Sequence, residues 1–298
     1  MRSGLKFLAG KLFWGFLRHL LNDEWYAKIR YCIELDQWPD LQNPQTFTEK
    51  IQWIKLNEQT KLRRIAANRT KVRDYVAQKV GAQHLVPLVG VYEELTKSTW
   101  KQLPNQFVLK GNHGSGMIQI VRDKENQSFK NVRQKTQRWK DTDYYRFGRE
   151  WAYKDVPKTI VAEELVLNSN KNIPKDYKFF CFNGSVKIIQ IDSDRFGEHR
   201  QTLFDRSFNR INGRLHSQPA TDPIPKPDGL EGAIAMAEKL SADFSFIRVD
   251  LYILDGKTYF GELTNYPLNG FIAFKPKSLE QKMGSFITLD MDQQPNQP

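Results

Sequence analysis

The sequence has little cysteine and little histidine, and it contains no long uninterrupted apolar run. Two cysteines occur in 298 residues, Cys32 and Cys181, so one disulfide at most could form and a disulfide-built scaffold is excluded. We expect two buried free thiols, as in a reducing cytoplasm. The five histidines are scattered and form no HExxH motif, and no CxxC pair is present. A metal site built from histidine and cysteine is therefore disfavoured.

Acidic residues are also in deficit, because 45 Lys and Arg face 34 Asp and Glu and leave a net charge of +11. With 40% hydrophobic residues the composition is that of a globular protein, and the length suggests about two domains. The charge favours an anionic partner, which could be nucleic acid, an acidic membrane face, a phosphate ligand or an acidic polymer. Composition alone does not choose among these classes.

The first 21 residues predict an amphipathic helix. Its apolar positions recur at helical spacing at Leu5, Leu8, Leu12, Phe16 and Leu20. Lysines and arginines interrupt the run, which disfavours a signal peptide or a membrane-spanning helix. Two interpretations stay open, a helix docked on its own domain and a basic helix lying on an anionic membrane surface. We expect a cytoplasmic protein, with peripheral contact to the inner membrane face under the second interpretation.

The rest of the chain mixes helical segments with hairpins, which predicts the α+β class. The predicted helices begin near Thr46 or Thr48, run over Leu62–Val80 and cover Leu230–Leu240. Strands are predicted at Leu85–Tyr92, Phe107–Lys110, Met117–Val121, Thr159–Leu165, Tyr177–Phe182, Val186–Asp192, Phe246–Ile253 and Thr258–Thr264. Asp255-Gly256 predicts a hairpin turn between the last two. Trp25, Trp38 and Trp53 are candidate core residues.

Residues 122–158 form a basic stretch, with eleven Lys and Arg against six Asp and Glu and with tryptophan and tyrosine interleaved. Basic and aromatic residues together suit single-stranded nucleic acid. Long helices with solvated basic faces have the same composition, and we favour them, so no nucleic-acid partner is expected.

Lys110 lies at the end of a predicted strand, directly before three glycines in six residues, Gly111–Gly116. Glycine lets backbone N–H groups approach an anion, and the lysine adds a point charge suited to phosphate. The sequence is not a Walker A loop, because no Gly-Lys-Ser/Thr follows and the next element is a strand. The pattern predicts a flap that covers phosphates, although an ordinary hairpin would have the same sequence.

A second group of charges lies on the predicted Asp255-Gly256 hairpin. Arg248 and Asp250 share one strand face, and Glu262 returns on the neighbouring strand. Two adjacent carboxylates repel each other unless a cation lies between them, and oxygen ligands suit Mg²⁺ that also contacts substrate phosphates. The apolar neighbours of these residues argue against a merely exposed hairpin. A further strand end, Val161–Val166, could offer backbone groups to adenine.

Taken together, these segments resemble the ATP-grasp superfamily, and most closely its TupA-like branch from bacterial cell-surface polysaccharide gene clusters. The segments that carry the resemblance are Pro44–Trp53, Ala67–Val76, Phe107–Met117, Asp176–Gly184 and Arg248–Gly270, so it covers about residues 25–275. The resemblance implies ATP and Mg²⁺ as cofactors and a nucleotide held between two α+β subdomains, with a helical N-terminal region. It also implies phosphorylation of a carboxylate, followed by attack of an amine on the acylphosphate.

The resemblance also implies roles for individual residues. Nucleotide-binding positions are Arg69, Lys110, Gly111, His113, Gly114, Ser115, Gly116, Glu163, Glu164, Asp176 and Lys178. Catalytic positions are Arg248 and Lys178, and the metal ligands are Asp250, Glu262 and Thr264. The chain departs from the family pattern twice: Asn68-Arg69 replaces an Asp-Lys pair, and Thr264 replaces an asparagine, so that either Thr264 or Asn265 completes the metal site.

The implied organisation has five parts: residues 1–21, an amphipathic helix; 22–100, a helical N-terminal region; 101–165, a lid subdomain; 166–285, a C-terminal subdomain with the metal site; and 286–298, a tail. The implied function is an ADP-forming carboxylate–amine ligase that attaches an amine or amino acid to a uronic acid of a bacterial surface polysaccharide, such as a capsule. The net charge suits such an acidic glycan. Arg195, His199 and Arg200 are candidate contacts to its carboxylates, although they could equally be solvated loop charges.

Two other enzyme classes stay open. Asp192-Ser-Asp194 matches the DxD signature of glycosyltransferases that use a nucleotide sugar. Such a short match arises often by chance, and no convincing βαβ unit surrounds it. A glycan kinase would use the same ATP cleft but would release a stable phosphosugar.

Overall fold

The computed structural model describes residues 2–193 and 199–291, with side chains from residue 10 onward and that of Leu8. Its α-helices are α1 (Arg2–Gly15), α2 (Asp23–Leu35), α3 (Phe47–Asn57), α4 (Lys61–Ala67), α5 (Lys71–Val80), α6 (Lys97–Gln102), α7 (Phe129–Asp141), α8 (Tyr144–Gly148), α9 (Leu230–Ser241) and α10 (Lys277–Ser285). Its strands are β1 (Leu88–Tyr92), β2 (Phe107–Gly111), β3 (Ile118–Val121), β4 (Ile160–Glu164), β5 (Asp176–Phe182), β6 (Ser185–Ser193), β7 (Arg200–Asp205), β8 (Phe246–Leu254) and β9 (Lys257–Thr264). The predicted α+β class is confirmed.

The strands form two antiparallel sheets. The four-stranded sheet, here called the lid sheet, has the order β1-β4-β2-β3, and the five-stranded sheet has the order β7-β6-β5-β8-β9. Both predicted hairpins are present: β2 pairs with β3 across the glycine loop, and β8 pairs with β9 across Asp255-Gly256. Asp255 (φ 48°) and Gly256 (φ 74°) both have left-handed backbone, as a two-residue hairpin turn of this kind requires.

Strand β5 is the middle strand of the five-stranded sheet and is buried along its whole length. Phe179 and Cys181 point into a core closed by α5 and α9. Phe180 and Phe182 point the other way, into a core closed by α3 and α10. Because successive side chains of a strand alternate between faces, covering both faces makes all four apolar. This packing fixes the strand that begins with Asp176 and Lys178.

The lid sheet has a core of its own, in which Phe107 and Leu109 of β2 pack with Val132 and Trp139 of α7. Helix α7 is thus the long helix predicted in the basic stretch, with its lysines and arginines toward solvent. The remainder of that stretch is shorter than predicted, since α8 has five residues and only a 3-10 turn follows at Trp151–Tyr153.

The helix predicted over Leu62–Val80 is wrong in one respect, because it breaks into α4 and α5. Asn68 is the cause: its side-chain oxygen accepts hydrogen bonds from the backbone N–H groups of Thr70 (3.0 Å) and Lys71 (3.1 Å). Such a local bond offers the backbone an alternative to the helical ladder. The break brings Arg69 out of the helix.

Three candidate core residues are placed differently from one another. Trp53 is buried, but the prediction is wrong for Trp25 and Trp38, which are 50% and 58% exposed. Their rings contact each other at 6.3 Å on the surface of the helical region. The cysteines are both free thiols, but Cys32 is exposed and only Cys181 is buried.

Helix α1 docks on the chain through two aromatic residues. Phe13 is fully buried and packs on Tyr26 at 5.3 Å, and the Trp14 ring stacks on Phe147 at 5.8 Å. The predicted apolar row has a different fate, since its described members are 55–66% exposed: Leu8, Leu12, Phe16 and Leu20. Within residues 2–193 and 199–291, no helix has the length and apolar character needed to cross a bilayer.

Candidate active site

Lys110 lies near the end of β2, where the chain enters the glycine loop, here called the flap (residues 111–116). Its ammonium donates to Glu163 at 2.6 Å, and the Arg73 guanidinium donates to the other oxygen of the same carboxylate at 3.1 Å. Strand pairing explains the contact, because β2 lies beside β4 with Val108 opposite Glu163. Two cations thus share one carboxylate in the lid sheet, here called the Glu163 triad.

The flap is shaped by its glycines. Gly116 has φ +72°, and a Cβ atom on Gly114 would lie 2.7 Å from the Tyr144 ring. The close approach of Tyr144 and the left-handed turn explain two of the three glycines in this loop. The backbone of the flap is thereby free of side chains where it faces the cleft below.

His113 differs from the role implied for it. It is 3% exposed, and its Nε2 donates to the backbone carbonyl of Trp139 at 2.7 Å. Burial lowers the pKa of this imidazole, which makes it a neutral core residue of the lid. The side chain therefore points away from the cleft, and we withdraw it as a phosphate contact. Glu164 is exposed at the end of β4, with its backbone N–H bonded to Pro87.

The other charges gather on the five-stranded sheet. Lys178 of β5 lies opposite Asp250 of β8, which in turn lies opposite Glu262 of β9, so the three form a row across adjacent strands. With their charged neighbours they form one group, here called the central charge cluster: Arg69, Asp176, Lys178, Asp192, Arg248, Asp250 and Glu262.

Arg248 is the most highly coordinated cation of the central charge cluster. Its guanidinium holds Asp250 through two hydrogen bonds, Nε–Oδ1 at 2.6 Å and Nη2–Oδ2 at 2.7 Å. The same Nη2 lies 3.4 Å from Glu262 and 3.0 Å from the Thr264 hydroxyl, which itself donates to Glu262 at 3.0 Å. Thr264 therefore faces the carboxylates. Asn265 is turned away and bonds to Arg63, which favours Thr264 as the metal ligand.

Lys178 contacts three carboxylates. It donates to Asp176 and lies 3.2 Å from Asp192 and 3.7 Å from Asp250. Asp176, implied at the ribose, thus lies beside the row of metal ligands. Attraction by these carboxylates raises the pKa of Lys178 even though burial, the largest single effect, lowers it. The ammonium stays charged and is held in place before any ligand arrives.

Arg69 connects the cluster to the flap. It donates to Glu262 at 3.2 Å and to the backbone carbonyls of Gly111 (3.1 Å) and Gly114 (3.5 Å). The substitution of the family's lysine by arginine explains this reach, because a guanidinium has several donors directed in one plane. The predicted place of Arg69 beside the flap agrees with these contacts.

The two paired carboxylates differ in their electrostatics. Burial opposes the ionisation of Glu262, but Arg69 and Arg248 outweigh it and lower its pKa to about 2. Burial dominates at Asp250 and raises its pKa to about 6, against the attraction of Arg248 and Lys178. Counting Arg69, Lys178 and Arg248 against Asp176, Asp192, Asp250 and Glu262 leaves the cluster with three cations and four carboxylates. Its one surplus negative charge suits a further cation.

The donors present fit Mg²⁺. Asp250, Glu262 and Thr264 offer hard oxygen atoms on neighbouring strands, as this ion prefers. Within the described residues no three His, Cys, Asp or Glu side chains are grouped to hold a metal by themselves. The remaining ligands would have to be phosphate oxygens and water, which is the usual arrangement for Mg²⁺ at a nucleotide.

Asp192 is the residue that the sequence interpretation misassigned. It lies in β6 directly opposite Asp176, accepts a hydrogen bond from Gln190 at 2.7 Å and pairs with Lys178. It therefore belongs to the central charge cluster, and the partner acid of the DxD match, Asp194, lies outside the described residues. The alternation of β6 and a charge at its end was the available signal.

The candidate glycan contacts lie beside this edge of the sheet. His199 lies 3.5 Å from Asp192, and Arg200 begins β7, the outer strand. Arg195 lies outside the described residues.

Two openings meet at the central charge cluster. A narrow cleft of about 20 Å³ lies under the lid sheet and includes Arg69, Arg73, Lys110, Glu163 and Glu262 among its lining residues. A second cavity of about 430 Å³ lies on the other side of Glu262 and includes Lys178, Arg248 and Thr264 in its wall. The charged row thus separates a phosphate-suited cleft from a larger chamber.

Two antiparallel sheets, a glycine flap with a lysine and paired carboxylates on a hairpin define an ATP-grasp protein. The chain matches the sequence model of the TupA-like ATP-grasp family over residues 49–288. It belongs to that family. A search of curated proteins found no match.

Solved structures with related folds include three enzymes or domains of the same superfamily. D-alanine–D-alanine ligase from Bacillus anthracis is 15% identical, with a TM-score of 0.39 and coverage of 67% of this chain and 57% of that one. The ADP complex of purK, an N5-carboxyaminoimidazole ribonucleotide synthetase, is 13% identical (TM-score 0.40; 67% and 45%). A RimK-domain ATP-grasp protein from Sphaerobacter thermophilus DSM 20745 is 11% identical (0.41; 75% and 67%). The chain spans about half the length of the first two.

Proposed function

We propose that this protein is an ATP- and Mg²⁺-dependent, ADP-forming carboxylate–amine ligase. The observation that carries the proposal is the row of Lys178, Asp250 and Glu262 with Arg248 bound to both acids. The row faces a flap that carries Lys110. A cation-seeking group and a phosphate-seeking group on opposite walls of one cleft suit a metal–triphosphate complex.

In this proposal the nucleotide lies in the narrow cleft. Lys110, Arg69 and the flap backbone bind its phosphates, and Glu163 with Glu164 lies at the adenine. Asp250, Glu262 and Thr264 would hold Mg²⁺, which supplies positive charge against the γ-phosphoryl oxygens. Lys178 and Arg248 carry fixed positive charge toward the oxygens that become negative during transfer.

The reaction proceeds in two displacements. A substrate carboxylate oxygen bonds to the γ-phosphorus while the bond to the β-phosphate oxygen breaks, which gives an acylphosphate and ADP. An amine then bonds to the acyl carbon, phosphate leaves, and the nitrogen gives up its protons to phosphate and solvent. Arg248 binds the carboxylate and stabilises the negative charge on the acyl oxygen.

The carboxylate substrate is, in this proposal, a uronic acid of a bacterial surface polysaccharide, and the nucleophile is an amine or amino acid. Support comes from membership of the TupA-like family and from the net charge of +11. His199 and Arg200, at the outer edge of the five-stranded sheet, are the described candidates for contacts to the glycan.

Hydroxylamine trapping tests the proposal. The protein is incubated with ATP, Mg²⁺, hydroxylamine and oligosaccharides that contain glucuronate or mannuronate, and we expect a hydroxamate together with ADP and phosphate. A stable phosphoglycan without hydroxamate would instead identify a glycan kinase. Sugar transfer without ADP would identify a glycosyltransferase.

We also propose that the exposed row of α1 and the turn after it contacts an anionic membrane surface. Leu8, Leu12 and Phe16 stay exposed although Phe13 and Trp14 are docked, and Arg18 adds positive charge nearby. Binding to vesicles of phosphatidylglycerol should weaken in Leu12→Ser and Phe16→Ser variants. Equal binding by wild type and both variants would contradict this contact.

A further inference from the structure

The second cavity has two oppositely charged side chains in its wall, in addition to the central charge cluster. Arg30 comes from α2, and Glu150 follows α8. Arg30 lies before residue 49, where the family match begins. The N-terminal helical region therefore contributes a wall to the chamber next to the reacting groups.

Arg30 is buried without a close carboxylate. Its side chain is 11% exposed, and its guanidinium lies over the Phe271 ring at 4.3 Å and donates to the Tyr26 hydroxyl at 3.1 Å. Its Nε has no hydrogen-bond acceptor, and the Glu34 carboxylate is 3.7 Å away. A buried cation in this state is costly unless an anion joins it.

Glu150 is in the corresponding state with the opposite sign. It is 6% exposed and accepts from the side-chain amide of Asn269 at 3.0 Å. Lys55 reaches it through the same amide, donating to Asn269 Oδ1 at 2.7 Å. Burial raises the pKa of Glu150 to about 7, against Lys55 and Arg30, so an added cation beside it would be favourable.

The orientation of this pair follows from its neighbours. Tyr144 is close enough to both Glu150 and Glu262 for each to raise its pKa, so Glu150 lies at the end of the chamber near the reacting groups. Arg30 packs with Tyr26 and Trp14 at the helical end. Two consecutive residues with left-handed backbone, Leu268 (φ 50°) and Asn269 (φ 58°), complete the wall. Such strain is characteristic of binding sites.

Building on the proposed ligase function, we propose that the second cavity binds the nucleophile as an amino acid, with its carboxylate on Arg30 and its amino group at Glu150. An amine without a carboxylate would leave Arg30 unpaired and bind more weakly. The arrangement also directs the amino group toward Arg248, where the acylphosphate forms.

Calorimetry tests the inference without requiring turnover. The protein, loaded with a non-hydrolysable ATP analogue and Mg²⁺, is titrated with the twenty protein amino acids, their D-enantiomers and the methyl ester of each compound that binds. We expect at least one amino acid to bind, and its ester to bind at least about tenfold more weakly. Binding by none, or equal binding of the ester, would overturn the inference.

Variants assign the two charges. Arg30→Gln and Glu150→Gln should each weaken amino-acid binding at least about tenfold, whereas Arg30→Lys should recover part of it because it retains the cation. Arg146→Gln is the matched control, since Arg146 is 76% exposed and pairs with Asp143. Thermal unfolding checks that the variants are folded. Unchanged amino-acid affinity in folded Arg30→Gln would refute the assignment.

Hydroxylamine separates this inference from the proposed function. It lacks a carboxylate, so Arg30→Gln should form hydroxamate as fast as the wild type while losing the amino-acid reaction. Failure of the wild type to form any hydroxamate, with amino-acid binding intact, would count against the ligase and not against the cavity. Loss of hydroxamate formation in folded Arg30→Gln would mean that Arg30 does not serve the amino acid alone, and would overturn the inference.

Discussion

The Glu163 triad and the central charge cluster are two buried ionic groups of opposite imbalance. In the triad two cations, Lys110 and Arg73, share the single carboxylate of Glu163. In the cluster three cations face four carboxylates. The first group has an excess of positive charge that suits phosphate, and the second has an excess of negative charge that suits a metal ion. The location of each imbalance, more than the number of charges, indicates which part of a metal–nucleotide complex each group would bind.

The two groups also differ in how firmly they are held. The cluster lies on strands β5, β8 and β9, and β5 is buried on both faces. The triad lies beside a glycine flap, and Lys110 could leave Glu163 for a phosphate while Arg73 still neutralises that carboxylate. We therefore expect substitutions in the cluster to affect chemistry most and substitutions in the triad to affect nucleotide binding most.

The largest expected effect is that of Arg248→Met. Its charge is needed most when negative charge develops on the reacting oxygens, so kcat should fall about a hundredfold or more with little change in ATP affinity. Steady-state kinetics and calorimetry measure the two quantities. Arg206→Met is the control, because Arg206 is an exposed arginine paired with Glu238. A parallel loss of ATP affinity would make Arg248 a nucleotide-binding residue.

Glu262→Gln should reduce stability in a pH-dependent manner. The pKa of Glu262 is lowered to about 2 in the folded protein from an ordinary value near 4.5, so the ionised form stabilises the fold above pH 4.5 and this contribution disappears as the pH falls through 2. Allowing for a side chain that is 31% exposed, we expect a difference of about 2 kcal/mol in the free energy of unfolding at pH 7. Urea unfolding at pH 7 and pH 3 measures it, and a difference that does not shrink at pH 3 contradicts the ion pairing.

Lys110→Ala tests the other side of the comparison. Removing the ammonium leaves Arg73 and Glu163 as a neutral pair, so the dissociation constant for ATP should rise about tenfold. Lys135→Ala, on an exposed lysine of the same lid, is the control. Calorimetry with a non-hydrolysable ATP analogue makes the measurement, and an unchanged affinity would remove Lys110 from the nucleotide site.

The smallest expected effect is that of Gly116→Ala. No atom lies within 4 Å of the added Cβ, so the cost is limited to the left-handed backbone, about 1 kcal/mol. Amide hydrogen exchange should show faster opening of residues 111–116 with the five-stranded sheet unaffected. Faster exchange in β5 would mean that flap and cluster are not separate units.

Local patterns predicted much of the site. The turn chemistry of Asp255-Gly256 sets the register of its hairpin, and that register places Asp250 opposite Glu262. Lys178 could not be joined to them in the same way, because its pairing depends on β5 lying between β6 and β8, which is a long-range choice. For the same reason Asp192 was assigned to a different motif.

Other departures have local causes that periodicity does not report. A single amide, that of Asn68, ends α4 by bonding two backbone N–H groups, although the apolar pattern continues. His113 lies in a loop whose composition suits phosphate, yet its ring fits between the flap and α7. Arg30 has no distinguishing neighbour in sequence, and only the docking of α2 beside the second cavity gives it significance.

The triple contact of Arg69 has a thermodynamic consequence. One guanidinium holds the flap through two carbonyls and also neutralises Glu262, so a divalent cation that takes over Glu262 changes the hold on the flap. Binding equilibria linked in this way are reciprocal. By whatever factor metal loading shifts the flap between open and closed, closure of the flap must shift the metal affinity by the same factor, and the metal and the flap then act as one coupled unit.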